Sequence, residues 1–146
     1  MEKKRGFTLI EVLIVIAIIG ILGAIALSVF RGIYQIKARM TEITNAMAIV
    51  STSIGGYYNN NYSFPPLLVN AIAIKNTLGV SVPTGRMQGG INGINVDNFG
   101  AITVIIDNIA SEVNSSTLVL TPNIGADGAI YWSWSGSVSS IYLPKN

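Results

Sequence analysis

The sequence predicts an α+β fold in which a long N-terminal helix packs, through its C-terminal half, on an antiparallel β-sheet of about four strands. Three observations support this prediction. An apolar stretch near the N-terminus leads into an apolar stripe of helical period. Segments rich in β-branched and aromatic residues follow after residue 100. The connections between these segments are short, which favours antiparallel pairing.

The N-terminal segment has the pattern of a targeting or membrane-spanning sequence. Three basic residues, 3–5, precede an apolar stretch over 7–30, and residues 12–30 include no charge. As a helix, residues 12–30 would span about 28 Å, close to the ~30 Å hydrocarbon core of a bilayer. Three interpretations are open: a signal peptide cleaved after Ala26, a permanent anchor, and a segment that is first an anchor and later a packing element.

Glu11 lies inside this apolar stretch, where an acid costs roughly 3 kcal/mol on membrane-insertion scales. Either its carboxylate extends toward the headgroups beside the basic residues, or it pairs with a cation from a neighbouring subunit. Cleavage just before Phe7 would create an α-amino group that is able to form this pair in a low-dielectric setting.

Beyond Phe30, apolar residues recur at spacings of three and four, which predicts one buried helical face. The predicted helix covers 7–54 and is about 72 Å long, so its apolar first half is expected to protrude from the folded domain. Gly55 and Gly56 are expected to stop it. The predicted buried face consists of Ile33, Ile36, Met40, Ile43, Met47, Val50 and Ile54.

The remainder of the chain alternates turn residues with strand-like segments. A loop with aromatic residues is predicted over 57–66 and a short helix within 67–78. Predicted strands cover 101–106, 117–121 and 129–134, with a further edge strand over 140–143.

Composition excludes several classes of function. The chain has no Cys and no His, which removes thiolate nucleophiles, histidine-assisted serine hydrolases and the commonest zinc ligands. Its remaining acids have no spacing typical of paired acid–base catalysis. Residues 125–128 contain one carboxylate, too few for a calcium site that needs six to eight oxygens. Residues 85–90 lack the ending of a phosphate loop and are expected to form a flexible loop. We therefore predict no catalytic residue, no metal and no cofactor.

The residues from Arg5 to Leu22, RGFTLIEVLIVIAIIGIL, resemble the leader and N-terminal helix of type IV pilins, the prepilin-type N-terminal methylation family. The resemblance implies that a prepilin peptidase cleaves between Gly6 and Phe7 and then methylates the Phe7 amine. It also implies that Glu11 is required for assembly or methylation. The implied filament core contains Leu9, Ile10, Val12, Leu13, Val15, Ile16 and Ile19.

The helix contains two glycines, Gly20 and Gly23, each about 1 kcal/mol less favourable than Ala. Many pilins of this kind have a proline where this chain has Ser28. Helix flexibility is therefore expected over Gly20, Gly23 and Ser28, although melting is less strongly encoded than with proline.

A second resemblance lies at the other end of the chain. Residues 117–122, 129–136 and 142–145 are similar to the closing strands of type IVa pilins. Those proteins usually have a disulfide here, but this chain has Trp134 at the place of the first cysteine and ends at Asn146 before the second. The terminal segment is therefore expected to be held by packing and hydrogen bonds, with the Trp134 ring partly buried.

Together the resemblances imply the pilin fold and a structural, non-enzymatic role as the subunit of a type IV pilus. The expected organisation is a leader over 1–6, a transmembrane and filament-core segment over 7–30, an amphipathic helix half over 31–56, and a loop with an antiparallel sheet over 57–146. A pseudopilin of a type II secretion system or a minor pilin is the alternative, and an exported binding protein cleaved after Ala26 is a third.

The expected partners are further copies of the same chain, the prepilin peptidase and methyltransferase, and an inner-membrane assembly machinery. The precursor is expected in the inner membrane and the mature subunit in an extracellular filament that serves adhesion, twitching motility or DNA uptake. The formal charge of +2 gives no indication of nucleic-acid binding by the bulk field, and a nucleic-acid partner stays open.

Overall fold

The computed structural model describes residues 6–145, without the side chains of residues 28 and 29. Helix α1 covers Leu9–Asn61 and helix α2 Ala71–Leu78, and a short 3-10 helix covers Gly90–Asn92. The strands are β1 (Ile94–Val96), β2 (Ile102–Ile105), β3 (Thr117–Ile124) and β4 (Ile130–Gly136). Two compact units divide the chain, one up to Gln35 and one from Ile36 onward, and α1 contributes to both.

The first unit consists of the apolar part of α1. One 18-residue window of this helix has a mean hydropathy of 3.0, and the helix is long and apolar enough to cross a membrane. None of that window is buried within the structure. The large aliphatic side chains of residues 9–27 therefore expose their surface to whatever surrounds the unit.

The second unit contains a four-stranded sheet in the order β1-β2-β3-β4, with every neighbouring pair antiparallel. The α+β prediction is confirmed, and the segments predicted near β2, β3 and β4 are strands. The three-residue strand β1 was not predicted, because the sequence around Ile94–Val96 is dominated by Gly and Asn. It pairs with β2 on one side and with Leu68, through a single bridge, on the other.

The core lies between α1 and one face of the sheet. From Ile36 onward every predicted member of the helical stripe is buried, whereas Ile33 is half-buried. In β1, β2 and the first half of β3, buried side chains alternate with half-buried ones, as the two-residue period of a strand requires, whereas β4 has no buried residue. The buried sheet residues that join the helical stripe in one cluster are Ile94, Val96, Ile102, Val104, Leu118 and Leu120.

The predicted stop of α1 at Gly55 and Gly56 is wrong, because the helix continues to Asn61. A face that keeps packing outweighs the unfavourable helix propensity of two glycines: Ile54 is fully buried, and the rings of Tyr58 and Phe64 lie 4.8 Å apart. The helix ends where Tyr62 adopts the left-handed conformation with φ 53°. The first residues of the predicted loop 57–66 are therefore helical.

The predicted edge strand over 140–143 is also wrong. The backbone N–H groups of Tyr142 and Leu143 both donate to the carbonyl of Ser139, at 2.9 and 3.2 Å, and so close a turn. The side chains of Tyr142 and Leu143 pack against the core. Burial of these two side chains determines the path of the tail, whereas their strand-like composition does not.

The tail begins with a compact set of hydrogen bonds between Thr117 and Ser137. The Thr117 N–H donates to Ser137 Oγ at 2.9 Å, and the Ser137 N–H donates to the Thr117 carbonyl at 3.1 Å. Val138 is buried directly after them, and Trp134 is half-buried against the core, as expected. Packing and hydrogen bonds hold this segment in a chain that has no cysteine.

The predicted short helix is confirmed as α2, within the expected range. Asn70 caps it, because its Oδ1 accepts from the Ala73 N–H at 2.9 Å, and Gly79 ends it in the left-handed conformation with φ 74°. The loop over 85–90, expected to be flexible, contacts the core and α1. Met87 is buried, and Arg86 Nε forms an ion pair with Glu42 Oε2 of α1 at 3.2 Å.

Substitution on the two faces of α1 tests whether the stripe carries the core. Ile43 is 0% exposed, so Ile43→Ala should lower the free energy of unfolding by about 2–5 kcal/mol. Ile49→Ala is the matched control on the same helix: Ile49 is 45% exposed, and we expect a change of about 1 kcal/mol or less. Urea unfolding of the full chain in detergent, followed by tryptophan fluorescence, measures both. Equal losses for the two variants would contradict this core assignment.

Candidate functional site

The candidate site is the start of α1, where a threonine and the single acid of the apolar segment form a reciprocal cap. Glu11 Oε2 accepts from the Thr8 backbone N–H at 3.0 Å and from the Thr8 hydroxyl at 2.8 Å. In return, the Glu11 backbone N–H donates to Thr8 Oγ1 at 3.4 Å. This is a capping box, and it places Thr8 at the N-cap and Glu11 three residues later.

Sequence reasoning singled out Glu11 but missed Thr8 as its partner. The signal was present, since Thr8 and Glu11 have the S/T-x-x-E spacing directly before an apolar helical run. Within its own chain, the Glu11 carboxylate accepts hydrogen bonds at one of its two oxygens, Oε2. Glu11 also lies about one helical turn from Phe7, the N-terminus that the predicted cleavage would create. An acid at the helix start is also favoured by the helix dipole.

Gly6 and Phe7, the predicted processing residues, lie immediately before the helix and outside regular secondary structure. The Phe7 side chain is 86% exposed. A peptide bond in such a segment is accessible to a protease without unwinding of α1. Of the predicted leader over 1–6, residues 1–5 lie outside the described residues.

The residues predicted for the filament core form an apolar surface around this first part of α1. Each exposes between 49% and 78% of its side chain within the structure. Contiguous apolar surface of this extent is typical of contact with lipid or with another protein. The residues are Leu9, Ile10, Val12, Leu13, Val15, Ile16 and Ile19.

The residues predicted to give helix flexibility lie within continuous helix. Residues 20, 23 and 28 are all helical, so α1 is not interrupted in the subunit. A Cβ atom added at Gly20 or Gly23 would have no neighbouring atom within 4 Å. No close approach of another described residue therefore requires glycine at these two positions. Helix flexibility at residues 20, 23 and 28 stays a prediction. The side chain of Ser28 lies outside the described atoms.

The turn 125–128, considered for calcium, uses its carboxylate for its own geometry. Asp127 Oδ2 accepts from the Tyr131 hydroxyl at 2.8 Å, and Oδ1 accepts from the Ala129 N–H at 3.1 Å. The bond from Tyr131, followed by that from Ala129, lowers the pKa of Asp127 below its ordinary value. The Asp127 carboxylate in turn raises the pKa of the Tyr131 phenol.

Comparison with known proteins gives matches over nearly the whole chain. Residues 1–27 match the model of the prokaryotic N-terminal methylation motif, and residues 36–146 match the model described as pilin, a bacterial filament. The first match includes Thr8, Glu11 and the Gly6–Phe7 junction.

Individual relatives include three fimbrial or pilin proteins. The fimbrial protein EcpC of Eikenella corrodens is 32% identical over 99% of this chain and 91% of that protein. The type IV major alpha-pilin of Moraxella bovis is 29% identical over 99% of this chain and 94% of that protein. The type IV major pilin protein PilE1 of Neisseria gonorrhoeae is 30% identical over 88% of this chain and 56% of that protein.

The Asp127–Tyr131 bond predicts a pH window for the β3–β4 turn. Its contribution to stability is lost below the ordinary aspartate range, as Asp127 protonates, and again above the ordinary tyrosine range, as the phenol ionises. Asp127→Ala should lower the pKa of Tyr131 toward about 10. NMR titration of tyrosine-labelled protein, with the Tyr131 signal assigned by Tyr131→Phe, measures the shift.

Asp97→Ala is the control for this titration, because within residues 6–145 the Asp97 carboxylate accepts from backbone N–H groups alone, in a different turn. It should leave the Tyr131 titration unchanged. An unchanged Tyr131 pKa in Asp127→Ala would show that the hydrogen bond does not form in solution.

Proposed function

The chain belongs to the type IV pilin family, and on that premise we propose that it is cleaved between Gly6 and Phe7, methylated at the Phe7 amine, and assembled through residues 7–30. It is a structural subunit of a type IV pilus with an apolar N-terminal helix. The observation that carries the proposal is the exposed apolar surface at the start of α1, headed by the Thr8–Glu11 cap.

The apolar surface supports two successive environments for this helix. In the precursor, which we place in the inner membrane, lipid covers residues 7–30. In the filament, neighbouring copies of the same helix replace the lipid, as van der Waals packing and lipid release drive helix association in membranes. The inner-membrane assembly machinery moves the subunit from one environment to the other, and the exposed side chains from Leu9 to Ile19 form the filament core.

Glu11 sets the register of this exchange. A carboxylate surrounded by apolar helices needs a cation, because an unpaired buried charge is strongly unfavourable. The α-amino group of a processed Phe7, with an ordinary pKa near 8, is positively charged and supplies one. Since the cap occupies Oε2 alone, Oε1 accepts the amine of an incoming subunit without loss of the bonds to Thr8.

The alternatives are less well supported. The relatives named above are fimbrial proteins and major pilins, which favours a pilus subunit over a secretion pseudopilin or a minor pilin. An exported protein cleaved after Ala26 would lose the methylation motif and interrupt α1 inside a continuous helix. The pilin family is structural, and adhesion, twitching motility and DNA uptake are the roles that we propose for the filament.

Substitutions at Glu11 separate its charge from its capping role. Glu11→Ala removes both and should abolish surface filaments, while the precursor stays in the membrane. Glu11→Gln keeps an N3 capping side chain but removes the charge. If pairing with the Phe7 amine is the function, Glu11→Gln should abolish filaments as completely as Glu11→Ala. Electron microscopy and immunoblots of sheared surface material and of membranes measure both pools.

Thr8→Val is the matched control, because it removes the capping hydroxyl and leaves the carboxylate. We expect it to retain filaments, with at most the loss of about 1 kcal/mol typical of an N-cap substitution. Abundant filaments from Glu11→Gln together with none from Thr8→Val would assign Glu11 to helix capping and contradict the pairing.

A further inference from the structure

Phe99 is an exposed aromatic residue at the tip of the β1–β2 turn. Its ring is 79% exposed, although the turn itself is well fixed. Asp97 Oδ1 accepts from the N–H groups of Phe99 and Ala101, at 2.9 and 2.8 Å, and the Gly100 N–H donates to the Asp97 carbonyl at 3.1 Å. These bonds fix the backbone that carries the ring, so a partner that binds the ring has little backbone entropy to remove.

The turn is also held against the body of the second unit. Gly100 has φ 80°, and a Cβ atom there would overlap the ring of Phe64. Phe64 in turn contacts Tyr58, near the C-terminal end of α1, with ring centroids 4.8 Å apart. Phe99 therefore lies at the end of the second unit where α1 ends.

An apolar groove of about 340 Å³ lies between α1 and the C-terminal tail of the same unit. Met40, Ile141, Leu143 and Pro144 form its apolar walls. A cavity of ~150 Å³ is enough to bind benzene, so the groove has room for a phenyl ring. Its lining also includes residues with hydroxyl groups and two lysines, Lys37 and Lys145.

The charges beside the aromatic residue and the groove are opposite. Within residues 6–145 neither Lys37 nor Lys145 forms an ion pair, and Asp97 Oδ2 accepts no hydrogen bond. A copy that inserts Phe99 into the groove brings the Asp97 carboxylate close to these ammonium groups. Such charge complementarity favours an orientation of the two copies in which Asp97 faces Lys37 and Lys145.

The two surfaces cannot meet within one chain. The groove uses α1 residues 37–44, whereas the Phe99 turn packs near Tyr58, at least 14 residues later, or about 21 Å along the helix. Their contact thus requires a second copy and is heterologous, since two different surfaces meet. Heterologous contacts that do not close into a ring generate open helical assemblies.

We propose that Phe99 of one subunit inserts into the groove between α1 and the tail of another subunit along the filament. The inference rests on the proposed function, since it requires a filament of this chain. It adds a contact between the folded second units, separate from the apolar first part of α1. Phe99 is the anchor of this contact, in the manner of the buried aromatic residues that dominate protein interfaces.

The absence of cysteine from the chain allows a direct test by crosslinking. Filaments of the double variant Phe99→Cys with Ile141→Cys are treated with copper phenanthroline and analysed on a non-reducing gel. Each subunit carries both partners, so the contact predicts a ladder of dimers, trimers and longer species. The matched control pairs Ile141→Cys with Ile72→Cys, because Ile72 of α2 is also about half exposed.

The inference would be overturned if intact filaments with Phe99→Cys and Ile141→Cys gave no more crosslinked species than the control filaments. The groove would then be left to another occupant, such as an anionic lipid. Absence of filaments from the unsubstituted chain would instead overturn the proposed function, so the two failures are distinguishable. If the double variant does not assemble, heating of Phe99→Ala filaments gives the answer. They should dissociate at lower temperature than filaments of Ile72→Ala, and equal temperatures would contradict the contact.

Discussion

An apolar helical segment that exposes most of its side chains must be covered by something other than water, and the rest of the architecture depends on this constraint. Full burial of one large aliphatic side chain, such as those of residues 9–27, is favourable by about 1.5–3 kcal/mol of free energy relative to exposure to water. No residue of the 18-residue apolar window is buried within the described part of the chain. Lipid, and then other copies of the helix, satisfy the requirement in turn, whereas an isolated soluble subunit does not.

The second half of α1 serves the opposite purpose, since it buries its stripe against the sheet of its own chain. Polar contacts connect α1 to residues 108 and 109. Arg39 Nη1 donates to the Ile109 carbonyl at 2.8 Å. Arg86 donates both to the Glu42 carboxylate of α1 and to the Asn108 carbonyl. Arg86 and Glu42 are partly exposed, so their ion pair contributes at most about 1 kcal/mol. Since truncation of one buried Ile or Met typically costs about 2–5 kcal/mol, burial of the stripe contributes more to this packing than the ion pair does.

The sequence was sufficient wherever a single period or motif determines the structure. The stripe from Ile36 to Ile54 has helical spacing, and its burial follows directly. The prediction failed where tertiary contacts outweigh local propensity: Gly55 and Gly56 lie inside α1, and the residues around Tyr142 form a turn. The Thr8–Glu11 cap was readable from the sequence but was missed, whereas the groove beside Met40 depends on distant residues and has no local signature.

The most direct test of this account is the intact mass and N-terminal sequence of the protein recovered from sheared cell-surface material. The account predicts an abundant chain that begins at Phe7 and carries one added methyl group, because the Gly6–Phe7 bond lies outside the helix and within the methylation motif. A surface chain that begins at Met1 or at Leu27 would contradict it. With a start at Met1, Glu11 would have no new amine one helical turn away, and with a start at Leu27 the subunit would lack Glu11 itself. In both cases the exchange of lipid for neighbouring helices would lose its charge pair.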